Sequence, residues 1–457
     1  MTRVFLIPLI CFNLLVFTMA SSLSIAAQEK NPKLASEAKL ARQHSLSMLD
    51  EMMEILDEHY YDRTFRGIDV KARIEQAKAR VRTLQYNWQM FRVLVQVLMD
   101  FDDSHTRMIL PPRTDHFDYG FGMQMIGEEC YITSVKKDSD AFKKGVRVGD
   151  QVLRLGKFTP NRRDLWKMLY VLYKLDPSRE LDLTLKKVDG TTGPVRVIAT
   201  TMTDKEYSAY LKAKKEARKK KQKDQPFKCE EISGQLLACK LYSFMVDKND
   251  IDKMITQALR YPKLVLDLRG NRGGYVIIEE YLLSHFFDRK VKIGEMVTRK
   301  KKEIQTTKPV GARRYSGELA VLVDSNSASA AETTSYVLQL EKRGTVYGDT
   351  TSGSVMTSIS VPFESVVSAL SDWAFISVGM SVTVADVVMS DGTRLEHRGV
   401  IPDTILQPNA NALASRTDPV LAFVAEKLGS ELTPAKAGTL NFLVPEEEPD
   451  DEDAGDY

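Results

Sequence analysis

The sequence predicts an α/β domain preceded by a helical leader and interrupted by a small β unit. Three observations carry this expectation. Apolar residues recur at helical spacing from Pro32 to about Leu110, short β runs with turns begin near Phe117, and strands alternate with helices from Gln235 to about Pro408. A chain of 457 residues, 43% hydrophobic and 28% charged, is globular and long enough for two or three domains. Collagen-like, disordered and polytopic membrane classes are excluded by that composition. Lys and Arg number 64 against 62 Asp and Glu, a net charge of +2, which argues against a dedicated nucleic-acid binder.

Residues 1–27 read as a secretory signal: Arg3, an apolar run from Val4 to Thr18 broken by Pro8 and Asn13, then small residues with Thr18-Met19-Ala20 and Ser24-Ile25-Ala26 as exits. The run is short for a bilayer span, and an uncleaved anchor is the alternative. The expected location is therefore exported, periplasmic or extracellular, with membrane contact only transient or through an uncleaved signal. Residues 28–115 form the helical region. Leu46, Leu49, Met52, Met53, Ile55 and Leu56 make one stripe, Val70, Ile74, Ala77 and Val81 a second, and Trp88 to Met99 a third.

Residues 116–202 form the β unit. Gly120-Phe121-Gly122-Met123 is followed by a β run from Cys130 to Val135, then by Gly145-Val146-Arg147-Val148-Gly149-Asp150. That order resembles a PDZ domain of the circularly arranged kind found in bacterial proteases. The resemblance makes Gly120, Phe121, Gly122 and Met123 the carboxylate-binding loop, a role consecutive backbone N–H groups suit. A spacer is the alternative. Residues 203–228 follow as a basic linker, with eight Lys or Arg between Lys212 and Lys223. A solvated helix fits that run, and attachment to an anionic surface is the sharper reading.

The α/β domain is placed at 229–412 and a C-terminal helix with an acidic tail at 413–457. The segment Glu446 to Tyr457 carries eight acidic residues. Cys229 and Cys239 flank a Ser233-Gly234 turn; a disulfide and two unpaired strand cysteines both fit. No Cys/His spacing suggests a metal site, and no metal or organic cofactor is implied.

Two strand-to-helix junctions carry chemistry. After the strand Lys263 to Leu268 comes Arg269-Gly270-Asn271-Arg272-Gly273-Gly274, whose glycines let backbone approach a reacting atom. It lacks the nucleotide-binding glycine patterns. After the strand Leu319 to Val323 comes Asp324-Ser325-Asn326-Ser327-Ala328-Ser329-Ala330-Ala331-Glu332. A serine among small residues at a helix N-terminus is either a cap or an exposed nucleophile.

Together these junctions, behind a PDZ-like unit and before Gly399-Val400-Ile401-Pro402-Asp403, resemble the C-terminal processing, or tail-specific, protease family. The resemblance implies a ClpP/crotonase-like α/β fold with an inserted PDZ domain. It makes Ser329 the nucleophile, maps the family's glycine pair onto Gly273 and Gly274 and its glutamate onto Glu332, and sets Ala330 N–H beside the glycines in the oxyanion hole. The family's common Ser–Lys dyad is missing: Ser354 stands at the lysine position and Ser358 at that of a helper glutamine. The tricorn-core branch uses a Ser-His-Ser-Glu tetrad instead, and this sequence resembles it at Ser104, His105, Ser329 and Glu396. His105 is then the general base, with Glu396 orienting it through Ser104. His397 is a competing base; His116 and His285 read as structural. Arg269 either meets a substrate carboxylate or forms a structural ion pair.

The resulting expectation is an exported serine endopeptidase acting through an acyl-enzyme on polypeptides taken by their C-termini, with no nucleic acid involved and a homo-oligomer compatible. The alternative is an inactive relative that binds peptides or other ligands.

Overall fold

The computed structural model describes residues 32–110, 115–224, 226–364 and 378–443. The expected signal segment and the acidic run from Glu446 lie outside the described residues. Three helices open the fold, Pro32–His59, Val70–Thr83 and Asn87–Met99. Their apolar stripes, including Leu49, Met52, Ile74, Val81 and Leu94, close into one core with Met380 and Val382 of a sheet. The leader was expected to stay helical to about Leu110. Instead the helix stops at Met99, and Arg107–Ile109 forms strand β1. Pro111 and Pro112 just beyond favour extended backbone there.

An antiparallel ribbon of β2 (Asp115–Asp118) and β8 (Thr200–Thr203) brings the chain into and out of the β unit. Between them lie β3 (Phe121–Ile126), β4 (Glu129–Val135), β5 (Gln151–Leu155), β6 (Glu180–Lys186) and β7 (Thr192–Ile198), an antiparallel sheet in that order with β3 at one edge. Its own core holds Phe121, Ile132, Val146, Leu183 and Val197. The expected loop Gly120–Met123 is corrected here. Only Gly120 sits in a turn, at φ +74, and Phe121 to Met123 already belong to β3. A helix, Asp204–Asp224, occupies most of the expected linker.

The main sheet runs β18 (Thr404–Ile405), β15 (Thr345–Gly348), β14 (Glu318–Val323), β11 (Lys263–Asp267), β10 (Leu236–Leu241) and β9 (Phe227–Ser233), parallel throughout except for β9. Period-two alternation supplies two buried faces. Leu237, Leu264, Leu266 and Val321 pack under the helices Lys248–Ala258, Val276–Ser284 and Ala330–Leu340. Leu236, Ala238, Val265 and Leu322 pack under the helix Pro419–Lys427. Both faces are covered, as a parallel sheet requires. A second sheet joins β12 (Lys292–Thr298), β13 (Lys302–Thr306), β16 (Thr357–Pro362) and β17 (Gly379–Met389) to β1. Cys239 pairs across the β9–β10 hairpin with Cys229, and the two form a disulfide.

Candidate active site

β11 and β14 are parallel neighbours, so both glycine- and serine-bearing loops leave the same end of the sheet. That end is where α/β folds place their sites. Hydrogen bonds knit the loops together. Asp324 Oδ1 accepts the Gly270 N–H at 2.8 Å, Ser327 Oγ donates to the Leu268 carbonyl at 2.8 Å, and Ala328 N–H donates to the Asn271 carbonyl at 2.9 Å.

Ser329 precedes the helix Ala330–Leu340 with φ 53 and ψ −121, a conformation that a residue with a side chain adopts only under constraint. Its N–H lies 2.9 Å from the Ser354 carbonyl and 3.1 Å from Glu332 Oε2. Glu332 is fully buried. It also accepts the N–H of Gly353 at 2.7 Å, that of Ser354 at 2.9 Å and the hydroxyl of Thr351 at 2.5 Å. Burial pushes its carboxyl up to about 7, against the pull of those donors. Glu332 thus fastens the strand-like segment 351–354 to the turn that carries Ser329.

Gly273 comes against that turn. A Cβ on it would lie 2.7 Å from Ser329 Cβ and 2.9 Å from Ala330 N. Its N–H was expected to face an oxyanion, but it donates to Asn271 Oδ1 at 2.8 Å. Its role is its missing side chain. Gly274 bridges Phe244 in parallel fashion through the Gly273 carbonyl and the Tyr275 N–H. In such a bridge the Gly274 N–H points to the opposite side. Among the described residues no hydrogen bond is made by the N–H of Gly274 or of Ala330.

Ser104, His105 and Glu396 meet. Ser104 N–H donates to Glu396 Oε1 at 3.0 Å, and Ser104 Oγ lies 2.6 Å from His105 Nδ1. Glu396 Oε2 accepts the Val355 N–H at 3.1 Å, one residue from the carbonyl that holds Ser329. Glu396 thus ties the histidine loop to the segment gripping Ser329, and it touches Ser104 through the main chain. His397 donates its N–H to the Gly353 carbonyl at 2.8 Å, and its Nε2 contacts the Asp102 carbonyl.

Sequence reasoning assigned no role to Asp103. Its buried carboxylate accepts Tyr60 OH at 2.9 Å, Thr383 Oγ1 at 2.9 Å and the main-chain N–H groups of His105 at 3.0 Å and Thr106 at 2.5 Å. The sequence puts Asp103 directly before Ser104 and His105. Its partners Tyr60 and Thr383 lie 43 and 280 residues away.

Arg269 is buried, its guanidinium 2.6 Å from Asp267 Oδ2 and 2.7 Å from Asp418 Oδ2, so it is a structural ion pair. Lys240 is buried beside it, 3.3 Å from Asp267 Oδ1, and burial holds its ammonium below the usual lysine range. His285 is buried with Nδ1 2.9 Å from the Tyr281 carbonyl, and His116 stacks on Tyr207 in the ribbon. Among the described residues no cluster of His, Cys, Asp and Glu is arranged to hold a metal ion.

The profile of Peptidase family S41 matches residues 236–406, which span both junctions and Glu396. The carboxyl-terminal-processing peptidase 2 of Arabidopsis thaliana chloroplasts is 34% identical over 139 residues, 30% of this chain and 25% of that protein. The tail-specific protease of Haemophilus influenzae is 24% identical over 279 residues, 57% of this chain and 38% of that protein. The chain thus spans a quarter and just over a third of these relatives. In fold it is similar to mature CPAF complexed with lactacystin, with a TM-score of 0.63 at 14% identity over 89% of this chain and 99% of that one. The photosystem II D1 C-terminal processing protease follows at 0.52 and 18%, over 86% and 99%.

Proposed function

We propose, from the match of residues 236–406 to the profile of Peptidase family S41, an exported serine endopeptidase that cleaves through an acyl-enzyme on Ser329. The observation that carries this reading is the constrained turn at Ser329, pressed against Gly273 at the end of two neighbouring parallel strands. Such a turn presents a hydroxyl clear of its own helix, as nucleophile elbows do.

In the proposed reaction His105 Nε2 takes the Ser329 proton while Oγ attacks the scissile carbonyl carbon. The N–H groups of Gly274 and Ala330 receive the developing oxyanion. Collapse breaks the C–N bond, and His105 returns the proton to the leaving amine. Water then attacks the ester by the same route in reverse. The Ser104 contact at Nδ1 orients the ring, and Glu396 holds Ser104 in place. The β unit is read as PDZ-like, its β3 edge accepting extended polypeptide by strand addition. Export is supported by the N-terminal apolar run and by the Cys229–Cys239 disulfide, which suits an oxidising compartment.

A fluorophosphonate probe tests the reading. It should label the wild-type chain and leave Ser329→Ala unlabelled, and His105→Ala should slow labelling at least 100-fold. The labelling rate should rise through pH ~6–7 with the histidine. Absence of labelling in the wild type would favour an inactive, peptide-binding relative.

A further inference from the structure

A cleft of about 1340 Å³ separates the β unit from the α/β domain. Ser104, Ser354 and His397, the β3 residues Gly122 to Ile126, and Asn441 to Leu443 line it. Eight Lys and Arg residues and four Asp and Glu line it, but Arg162, Arg163, Lys240 and Arg269 are themselves paired, with Asp349, Asp102, Asp267 and Asp418. Three of those acids are committed within the fold. Asp349 holds Arg162 at 2.6 Å, Asp102 holds Lys167 at 2.5 Å, and Asp324 holds the Gly270 N–H at 2.8 Å. Arg398 and Arg416 are exposed, and among the described residues neither guanidinium is paired with a carboxylate. Both line the cleft, and Arg398 lies two residues after Glu396. The cleft therefore carries unpaired positive charge at Arg398 and Arg416, with the exposed Glu128 as its one acid outside those contacts, and its low-dielectric walls concentrate that field.

We propose that this cleft is a binding site for polypeptide segments bearing clustered carboxylates, with Arg398 and Arg416 as its anion-recognising residues. The β3 edge supplies main-chain pairing indifferent to sequence, and the two guanidiniums supply the selection. The inference rests on the peptidase reading only for where such a segment is cut; binding can be measured without turnover.

The test uses full-length Ser329→Ala chain and two fluorescent peptides. One has the sequence of residues 444–457, which carries eight carboxylates; the other replaces every Glu by Gln and every Asp by Asn. The ratio of their dissociation constants is the readout, because any competitor shared by both peptides cancels from it. The acidic peptide should bind at least tenfold tighter at low salt, about 1.4 kcal/mol, and the ratio should fall below threefold in 0.5 M NaCl. Arg398→Gln with Arg416→Gln should reduce the ratio to near two, whereas neutralising the lysines of 212–223 should leave it unchanged. Equal affinities overturn the proposal. So does a ratio that survives the double arginine substitution, or one that is lost with the helix lysines. Failure of the peptidase reading would show separately, as absence of probe labelling in the wild type.

Discussion

Ser329 holds a backbone conformation that costs on the order of 1–3 kcal/mol for a residue with a side chain. Three things impose it: the Ser354 carbonyl and the Glu332 carboxylate on its N–H, and Gly273 packed against its Cβ. Gly273 itself sits at φ +92, where alanine is strained whatever the space. Gly273→Ala should therefore push the turn outward and slow fluorophosphonate labelling of Ser329 by 100-fold or more while the far-ultraviolet circular dichroism is retained. Labelling within threefold of wild type would mean that the close approach is dispensable. At this scale the sequence made legible the strand-to-helix turn at Ser329 and the grouping of Ser104 and His105 with Glu396. It was silent on Asp103, whose four hydrogen bonds come from Tyr60, Thr383 and the main chain of its own loop. It also misread Gly273, because nothing in the glycine run says that Asn271 will take that N–H.

Between elements, the helix carrying Ser329 at its start packs on Val276–Ser284, and Glu279 is buried at that contact with Thr333 beside it. Its Oε1 has no hydrogen-bond partner among the described residues, and burial pushes the carboxyl up to about 8. The folded chain thus holds the Glu279 proton more tightly than the unfolded one. Stability from this group is complete below pH ~4.5 and is lost as pH rises to about 8, on the order of 5 kcal/mol in all. Glu279→Gln removes that slope. Its melting temperature should hold between pH 5 and 9 while that of the wild type falls relative to it. A pH-independent difference would show that Glu279 does not titrate in that range. On the opposite edge, the Cys229–Cys239 disulfide closes a hairpin with a sequence separation of 10, worth about 2–3 kcal/mol. Cys229→Ala with Cys239→Ala should lower the urea midpoint accordingly, and an unchanged midpoint would make the bridge a bystander. The Ser233-Gly234 turn between the two cysteines made this hairpin legible. The strand at Arg107 was not, because three residues bear no periodicity and their partner, Gly379 to Ser381, lies at the far end of the chain.

For the molecule as a whole, the relation of the β unit to the α/β domain is fixed by contacts the sequence could not announce. Arg162, in the run Asn161-Arg162-Arg163-Asp164, reaches Asp349, 187 residues on. Its guanidinium also donates to the Thr350 carbonyl at 2.9 Å and the Gly127 carbonyl at 2.7 Å, while Gly127 N–H donates to Asp349 at 2.9 Å. The Asp349 side chain is only 6% exposed, and Arg162 is the cation paired with it. Removing the partner of a buried carboxylate is costlier than the pair is worth, here about 2 kcal/mol discounted for the partly exposed arginine. The cost falls on the docking rather than on either core, because Arg162 belongs to neither hydrophobic cluster. Arg162→Ala should therefore loosen the β unit without unfolding it. The radius of gyration by X-ray scattering should rise, hydrogen exchange should speed up at Met125 to Gly127 and Asp349, and the main melting transition should stay within a few degrees. Unchanged scattering with unchanged exchange would place the hold elsewhere, on Asp102 with Arg163 and Lys167 or on Gln124 with Asp324 and Ser325. Those contacts converge on the loops of His105 and Ser329, so a loosened β unit should also alter the rate at which the probe finds its serine.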